Sequence, residues 1–218
     1  MHNVQPLTAI PMSVLIYLGG QPPSKPLSQR VAARASLVIA ADSGYHACRD
    51  TDVVPDVVTG DFDSIDAAPE GTSTKVVEAP EQDATDFEKA LRWVPESTGI
   101  LEILGGTGLR SDHFLTNLLI AASRPATEQV VFRDDVQSIF RVTRDCPFSR
   151  EVLSGTTVSL IPFTHCMGVT TKGLHWNLDN TDMGPGLQLG QSNRMDDDHL
   201  SVSIQQGCLY LILNTPAD

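Results

Sequence analysis

Short apolar runs alternate with helix-type patterns along the first two thirds of the chain. The runs "SVLIYLGG", "SLVIAADSG" and "ILEILGG" are almost continuously apolar, as buried strands are. Between them, "LSQRVAARA" and "DHFLTNLLIAA" repeat apolar residues at helical spacing. This alternation predicts an α/β domain over residues 13–145, with a mostly parallel, doubly wound sheet covered by helices on both faces.

The pattern changes after about Arg144. The segments "TTVSLIPF", "HLSVSIQQG" and "CLYLILN" are short and alternating, with Gly or Asn between them at intervals of about ten residues. No helical period is visible there. We therefore predict a Rossmann-like N-terminal domain followed by an antiparallel β-sandwich over residues 150–218.

Charge and composition narrow the possible partners. The 218-residue chain has 15 basic and 27 acidic residues, a formal charge of −12 that disfavours nucleic acid and anionic membrane surfaces. A polyanionic substrate would need a cation. The first apolar run, residues 14–18, is too short to cross a bilayer and no basic segment precedes it, so we expect a cytoplasmic protein. The four cysteines are scattered, which favours reduced packing residues over a zinc site.

Acidic residues follow several predicted strands. Asp42 follows "LVIAA", Asp61 and Asp63 follow "DVVTG", and Asp83 and Asp86 follow "TKVVEAP". Ligands of an open parallel sheet bind beyond the carboxyl ends of its strands, so these side chains are expected at one edge. Carboxylates gathered there would repel one another without a cation, and their hard oxygen atoms suit Mg²⁺.

Each acidic position also has a purely structural interpretation. Asp83 can be the N-cap of a helix that has Asp86 in its first turn, and Asp42 can cap the next helix. The Asp61-Phe62-Asp63 segment can form a simple turn, with Gly60 allowing a tight backbone. Capping and turn formation do not exclude metal binding.

A glycine-rich loop stands between a strand and a helix in "LGGTGLRSDHFLTN". Such loops can hold phosphate through free backbone N–H groups. The segment fits neither the P-loop pattern nor the dinucleotide fingerprint, and a tight turn capped by Ser111 is the structural alternative. Arg110 can bind phosphate oxygens bidentately, and Asp112 can orient a hydroxyl or take its proton. His113 and Asn117 share a helical face and can equally be packing residues.

The ordered set "AADSG", "GDFDS", "QDATDFEKAL" and "GGTGLRSDHFLTN" resembles the thiamine pyrophosphokinases. The later "KGLHWNL" and "QSNRM" are similar to that family's β-domain, so the resemblance covers about residues 13–214. It implies that ATP gives its two terminal phosphates as one unit to the hydroxyl of thiamine, leaving AMP and thiamine diphosphate. It also implies a homodimer.

The resemblance implies a role for each matching residue. Magnesium ligation falls on four aspartates: Asp42, Asp61, Asp63 and Asp86. Catalysis falls on six residues: Asp61, Asp63, Asp83, Asp86, Arg110 and Asp112. ATP contacts fall on five residues: Gln82, Gly106, Thr107, Arg110 and His113. Ser192 and Asn193 of one subunit, with Trp176, are expected to complete the thiamine pocket against the α/β domain of the other.

Two positions depart from the family pattern. Leu109 stands where the glycine loop usually has a second Gly before the arginine, so backbone contact with the nucleotide is expected to differ. The segment "GLQLGQ" before Ser192 also differs from the commonest form.

Two other functions fit parts of the sequence. Phosphatases of the haloacid dehalogenase type use an Asp-x-Asp nucleophile after a strand and a later acidic pair, which Asp134 and Asp135 can mimic. That motif normally ends the first strand, whereas here it follows the third. A non-catalytic nucleotide or thiamine sensor would use the acidic run "MDDDH" to dock a partner.

Overall fold

A computed structural model describes residues 11–62 and 73–214. Its α/β part contains the following elements: β1 (Met12–Tyr17), α1 (Lys25–Ala32), β2 (Leu37–Ala41), α2 (Gly44–Asp50), β3 (Val57–Gly60), β4 (Lys75–Glu78), α3 (Asp86–Leu91), β5 (Thr98–Leu104), α4 (Ser111–Ala122) and β6 (Gln129–Arg133). Six strands pair in parallel in the order β6-β5-β1-β2-β3-β4. The predicted mostly parallel sheet is confirmed.

Both faces of this sheet are covered. Val14 and Ile16 of β1 face a core that includes Phe87 of α3, whereas Leu15 and Tyr17 face a second core with α1 and α2. Successive side chains of a strand point to opposite faces, so a fully apolar strand needs a layer on each side. The doubly wound arrangement follows from this requirement.

Eight more strands follow: β7 (Gln137–Val142), β8 (Phe148–Glu151), β9 (Thr157–Pro162), β10 (Cys166–Lys172), β11 (Thr181–Met183), β12 (Gly190–Arg194), β13 (His199–Ser203) and β14 (Leu209–Asn214). Strands β11-β10-β13-β8 form an antiparallel sheet. Its apolar face shares a core with β7, β9 and β14, where Phe140, Val158 and Leu211 meet Val169 and Val202. The predicted β-sandwich is confirmed.

One layer of the sandwich continues the large sheet. Strand β7 pairs antiparallel with β6, and β14, β9 and β12 follow outward, giving ten strands in all. This continuity was not expected from the sequence. The division of the chain at residues 145–150 stays a prediction.

Arg141 joins the sandwich to α4. Its buried guanidinium donates through Nη1 to the carbonyls of Ala121 (2.9 Å) and Arg124 (2.7 Å). Nη2 donates to the carbonyls of Pro125 (2.6 Å) and Glu128 (2.7 Å). Burial lowers the pKa of Arg141. Because Arg141 lies on β7, its hydrogen bonds tie the last turn of α4 and the following loop to the sandwich.

The described residues contain neither a membrane-spanning helix nor a disulfide bond. Within residues 11–62 and 73–214, no helix has the length and apolar character needed to cross a membrane. All four cysteines are free thiols, as the sequence predicts.

Candidate active site

Asp42 directly follows β2 and lies beside the end of β3. It follows β2 in a left-handed conformation (φ 43°), and its N–H donates to the Thr59 carbonyl at 2.8 Å. A Cβ on Gly60 would lie 3.0 Å from the Asp42 Cα, so this glycine permits the approach. The Oδ1 atom of Asp42 is buried and has no hydrogen-bond partner in the described chain. A buried carboxylate oxygen without a donor is a costly arrangement that a cation would relieve.

The turn expected over residues 61–63 extends beyond the described residues, which end here at Phe62. Phe62, with φ 61°, takes the left-handed conformation and packs partly against the core that contains Leu15 and Tyr17. Asp61 precedes this residue, and its Oδ2 accepts a hydrogen bond from Nε2 of Gln82 at 3.2 Å. Asp63 lies outside the described residues, so its predicted role as a ligand stays a prediction.

Asp42, Asp61 and Asp86 form what we call the acidic rim. Asp86 interacts electrostatically with both of the other carboxylates. It is the first residue of α3, and 48% of its side chain is exposed. Partial burial is the largest cause of the raised pKa of Asp86, and the Asp42 and Asp61 carboxylates raise this pKa further. Lys89 and His113 lower it. The structure therefore brings three of the predicted ligands together.

Asp83 does not cap α3. The cap is Thr85, whose hydroxyl accepts from the Glu88 N–H while the Glu88 carboxylate accepts from the Thr85 N–H. This capping box is visible in the sequence as Thr-x-x-Glu, and the acidic-cap interpretation of Asp83 is wrong. Asp83 is exposed, and no hydrogen bond or ion pair joins it to the acidic rim within the described chain.

The stability of Asp86→Asn relative to the parent is expected to increase from pH 4 to pH 7 in the metal-free protein. Since the folded pKa of Asp86 is raised, the parent loses stability as pH rises toward that pKa, whereas Asn does not titrate. The side chain is half exposed, so this change with pH is below about 1 kcal/mol. Urea unfolding of both proteins in EDTA at the two pH values measures it.

Asp50→Asn, on the exposed surface of α2, is the control for this prediction. It changes the net charge equally without touching the acidic rim. If the stability of Asp86→Asn relative to the parent rises no more between pH 4 and pH 7 than that of Asp50→Asn, the assignment of repulsion at Asp86 is contradicted.

The glycine loop, Gly105–Gly108, is held from three sides. The N–H of Gly20 donates to the Gly105 carbonyl at 2.7 Å, and Asn117 Nδ2 donates to the Gly106 carbonyl at 3.1 Å. The Thr107 hydroxyl donates to Asp134 Oδ2 at 2.8 Å. The loop is thus fixed at the carboxyl end of β5, beside the ends of β1 and β6.

Thr107 and Asp134 were not expected to pair. The Thr107 side chain is buried, so a contact between Thr107 and ATP would have to be made by the backbone. The contact itself stays a prediction. Asp134 Oδ1 also accepts from the N–H groups of Val136 and Gln137, both at 2.9 Å, and Asp135 binds Ser24. Asp134 thus organises the turn between β6 and β7, and Asp135 binds the residue that caps α1, so both members of the acidic pair that the phosphatase interpretation requires are used in structural hydrogen bonds.

Arg110 and Asp112 form a bidentate pair at the start of α4. Nε of Arg110 lies 3.1 Å from Oδ1 of Asp112, and Nη2 lies 2.5 Å from Oδ2. This pairing lowers the pKa of Asp112 to about 2. The helix begins after Arg110 without a side-chain cap, so the Ser111 capping hypothesis is wrong. His113, one turn into the helix, is exposed and close enough to act on Asp86 electrostatically.

Leu109→Gly is expected to stabilise the protein by about 1 kcal/mol. Leu109 has φ 53°, a conformation that costs a leucine about 1–2 kcal/mol and a glycine almost nothing, and its side chain is 73% exposed. Leu153, also 73% exposed but without a positive φ, is the matched control. Leu153→Gly should not stabilise; equal effects of the two changes on the urea midpoint would refute backbone strain at Leu109.

The three predicted thiamine-pocket residues lie together on the sandwich. Asn193 Nδ2 donates to the Trp176 carbonyl at 2.8 Å, and its Oδ1 accepts from the Trp176 N–H at 3.2 Å. Trp176 is 61% exposed and meets the His175 ring edge-on, with centroids 4.5 Å apart. Ser192 has φ 59° and donates its N–H to Ser159 Oγ. No hydrogen bond or ion pair in the described residues connects this group with the acidic rim.

The metal centre itself is not assembled by the described residues alone. Leaving out residues 1–10, 63–72 and 215–218, no three His, Cys, Asp or Glu side chains converge closely enough to hold an ion. The sequence interpretation also missed a buried cation at the rim, Lys89, whose Nζ lies 3.8 Å from Asp86 Oδ1. The Asp-x-x-Lys spacing on a helix was the available signal.

Two family models match the chain. The catalytic domain of thiamin pyrophosphokinase matches residues 28–132, and its vitamin B1 binding domain matches residues 145–209. Thiamine pyrophosphokinase 1 of Arabidopsis thaliana is 34% identical over 173 residues, which are 72% of this chain and 65% of that protein. Thiamine pyrophosphokinase of Bacillus subtilis is 29% identical over 188 residues, covering 83% and 88% of the two chains. The chain thus spans just under two thirds of the Arabidopsis protein.

Solved structures give the same result. The crystal structure of thiamine pyrophosphokinase from Bacillus subtilis has a TM-score of 0.80 at 27% identity, covering 94% of this chain and all of that one. Thiamin pyrophosphokinase from Candida albicans has a TM-score of 0.78 at 16% identity, over 94% and 89% of the chains, and supports the fold alone.

Proposed function

The chain belongs to the thiamine pyrophosphokinase family, and on that premise we propose that it transfers the pyrophosphoryl group of ATP to the hydroxyl of thiamine. The products are thiamine diphosphate and AMP. The acceptor oxygen bonds to the β-phosphorus while the bond from that phosphorus to the α–β bridging oxygen breaks. The observation that most supports this proposal is the acidic rim beside the fixed glycine loop.

Mg²⁺ is the cation we propose for the rim. Two features of the described residues fit it: the donor-less buried Oδ1 of Asp42, and the raised pKa of Asp86, which burial causes and nearby carboxylates increase. An all-oxygen donor set from Asp42, Asp61, Asp63 and Asp86 suits this ion. When bound, Mg²⁺ would neutralise charge on the transferring phosphates.

The chain's own residues supply orientation and charge. We assign Arg110 to phosphate oxygens, because the fork that now donates to Asp112 also matches a phosphate. Asp112, whose pKa the Arg110 pair lowers to about 2, is ionised and orients the thiamine hydroxyl by accepting its hydrogen bond. Gln82 positions Asp61 through its amide, and Asp83, Gly106, Thr107 and His113 keep their predicted places around the nucleotide.

We further propose a homodimer in which the sandwich of one subunit completes the thiamine pocket of the other. Trp176 offers an exposed indole face to the cationic acceptor. Asn193 uses its amide to fix the Trp176 backbone, so its contribution is to position the indole. Ser192, in its left-handed conformation, stays the candidate for direct contact.

Mass spectrometry of the reaction products tests the function. Purified protein is incubated with ATP, Mg²⁺ and thiamine, and we expect AMP and thiamine diphosphate in equal amounts. A reaction without thiamine is the control. No AMP above that control would count against the proposal.

The same samples separate the two alternatives. A phosphatase of the haloacid dehalogenase type would give a phosphorylated aspartate that survives acid and is lost in alkali, without AMP. A sensor would bind ATP and thiamine saturably and form no product.

A further inference from the structure

Lys89 is the one lysine that the fold buries. All four lysines lie in the described residues; three are exposed, whereas only 3% of the Lys89 side chain is accessible. Removing an ammonium group from water is costly unless an opposite charge compensates it. The position of Lys89 therefore requires a nearby anion.

Asp86 supplies that anion. Its Oδ1 lies 3.8 Å from Lys89 Nζ, one helical turn earlier on α3, and Lys89 opposes the rise in the Asp86 pKa that burial and Asp42 cause. Glu78 and Glu81 also line the notch beside Lys89, but Glu81 pairs with Arg92, and the ion pair that Lys89 forms in the described residues is with Asp86. Lys89 is thus directed to the acidic rim.

The surroundings of Lys89 hold it in place. Phe87 and Ala90, its neighbours on α3, are buried in the core of the sheet. With Thr59 and Ala79, Lys89 lines a notch of about 230 Å³ between α3 and the ends of β3 and β4. The backbone carbonyl of Thr59 also accepts the Asp42 N–H at 2.8 Å, so the notch that holds Lys89 adjoins the acidic rim through Thr59.

We propose that Lys89 is a positioning residue: its ammonium is the fixed countercharge that holds Asp86 and keeps the acidic rim together before a cation binds. The inference rests on the proposed function only for the cation site. A bound divalent cation and the ammonium then share the same carboxylates. Lys89 consequently lowers the cation affinity of the rim, and this allows the ion to arrive and leave with the nucleotide.

The test is Mn²⁺ binding measured by calorimetry, with neither ATP nor thiamine present. Lys89→Met is expected to bind Mn²⁺ roughly tenfold more tightly than the parent, because one positive charge near a divalent ion has been removed. Lys89→Arg, which keeps the charge, should stay close to the parent. Lys75→Met is the matched control, since Lys75 is exposed and lies over the Trp93 ring that lines the same notch.

Two results would overturn the proposal. One is equal Mn²⁺ affinity for Lys89→Met and Lys75→Met, which a purely structural lysine predicts. The other is weaker ATP binding with unchanged Mn²⁺ affinity, which would make Lys89 a direct phosphate contact. Circular dichroism checks folding, and Lys89→Gln replaces a Met variant that does not fold. Failure to form thiamine diphosphate would refute the proposed function and leave the Mn²⁺ comparison valid.

Discussion

Asp61→Asn is expected to lower turnover by a factor of about 100 or more while the protein stays folded. The substitution removes a charged oxygen from the acidic rim but keeps its shape. The remaining side-chain oxygen can still accept the Gln82 hydrogen bond, which now joins Gln82 Nε2 and Asp61 Oδ2 at 3.2 Å. Production of AMP and thiamine diphosphate measures the loss, and Asp63→Asn should behave in the same way.

Asp52→Asn is the matched control for this change. Asp52 forms an exposed ion pair with Lys25 away from the rim, and Asn tolerates its positive φ of 58°. Both variants should unfold within about 2 °C of the parent. Near-parental turnover of Asp61→Asn would show that the metal assignment is wrong.

Arg141→Met is expected to cost about 3 kcal/mol or more of unfolding free energy. The change keeps most of the side-chain volume but removes four hydrogen bonds, those from the guanidinium to the carbonyls of Ala121, Arg124, Pro125 and Glu128. In a domain of this size the unfolding temperature should fall by about 6 °C or more. Urea and thermal unfolding measure both quantities.

Arg49→Met is the matched surface control. Arg49 is exposed on α2 and pairs with its neighbour Asp50, and such ion pairs contribute about 0–1 kcal/mol. Arg141→Lys should be intermediate, because an ammonium keeps the charge but cannot reach all four carbonyls. An Arg141→Met protein within about 1 kcal/mol of the parent would disprove its role as the tie between α4 and β7.

Local signals in the sequence predicted much of the site. Asp42 and Asp61 follow buried apolar runs, and the parallel arrangement of those runs brings their ends to one edge. The errors came from interactions over a few residues. Thr85 rather than Asp83 caps α3, although the capping box was visible, and α4 begins after Arg110 without the expected cap from Ser111.

The sequence by itself determined the order of the strands and helices of the α/β part except α2, the layers on both faces of the sheet and the acidic character of one edge. All three depend on side-chain periodicity and on residue types that are local along the chain. Only the tertiary structure decided that Lys89 and Arg141 are buried, that Thr107 binds Asp134, and that one sheet continues into the sandwich. Some of these features join residues that are far apart in the chain, and others bury charged side chains that a hydrophobic pattern places at the surface. Both kinds depend on which elements pack together in the folded protein.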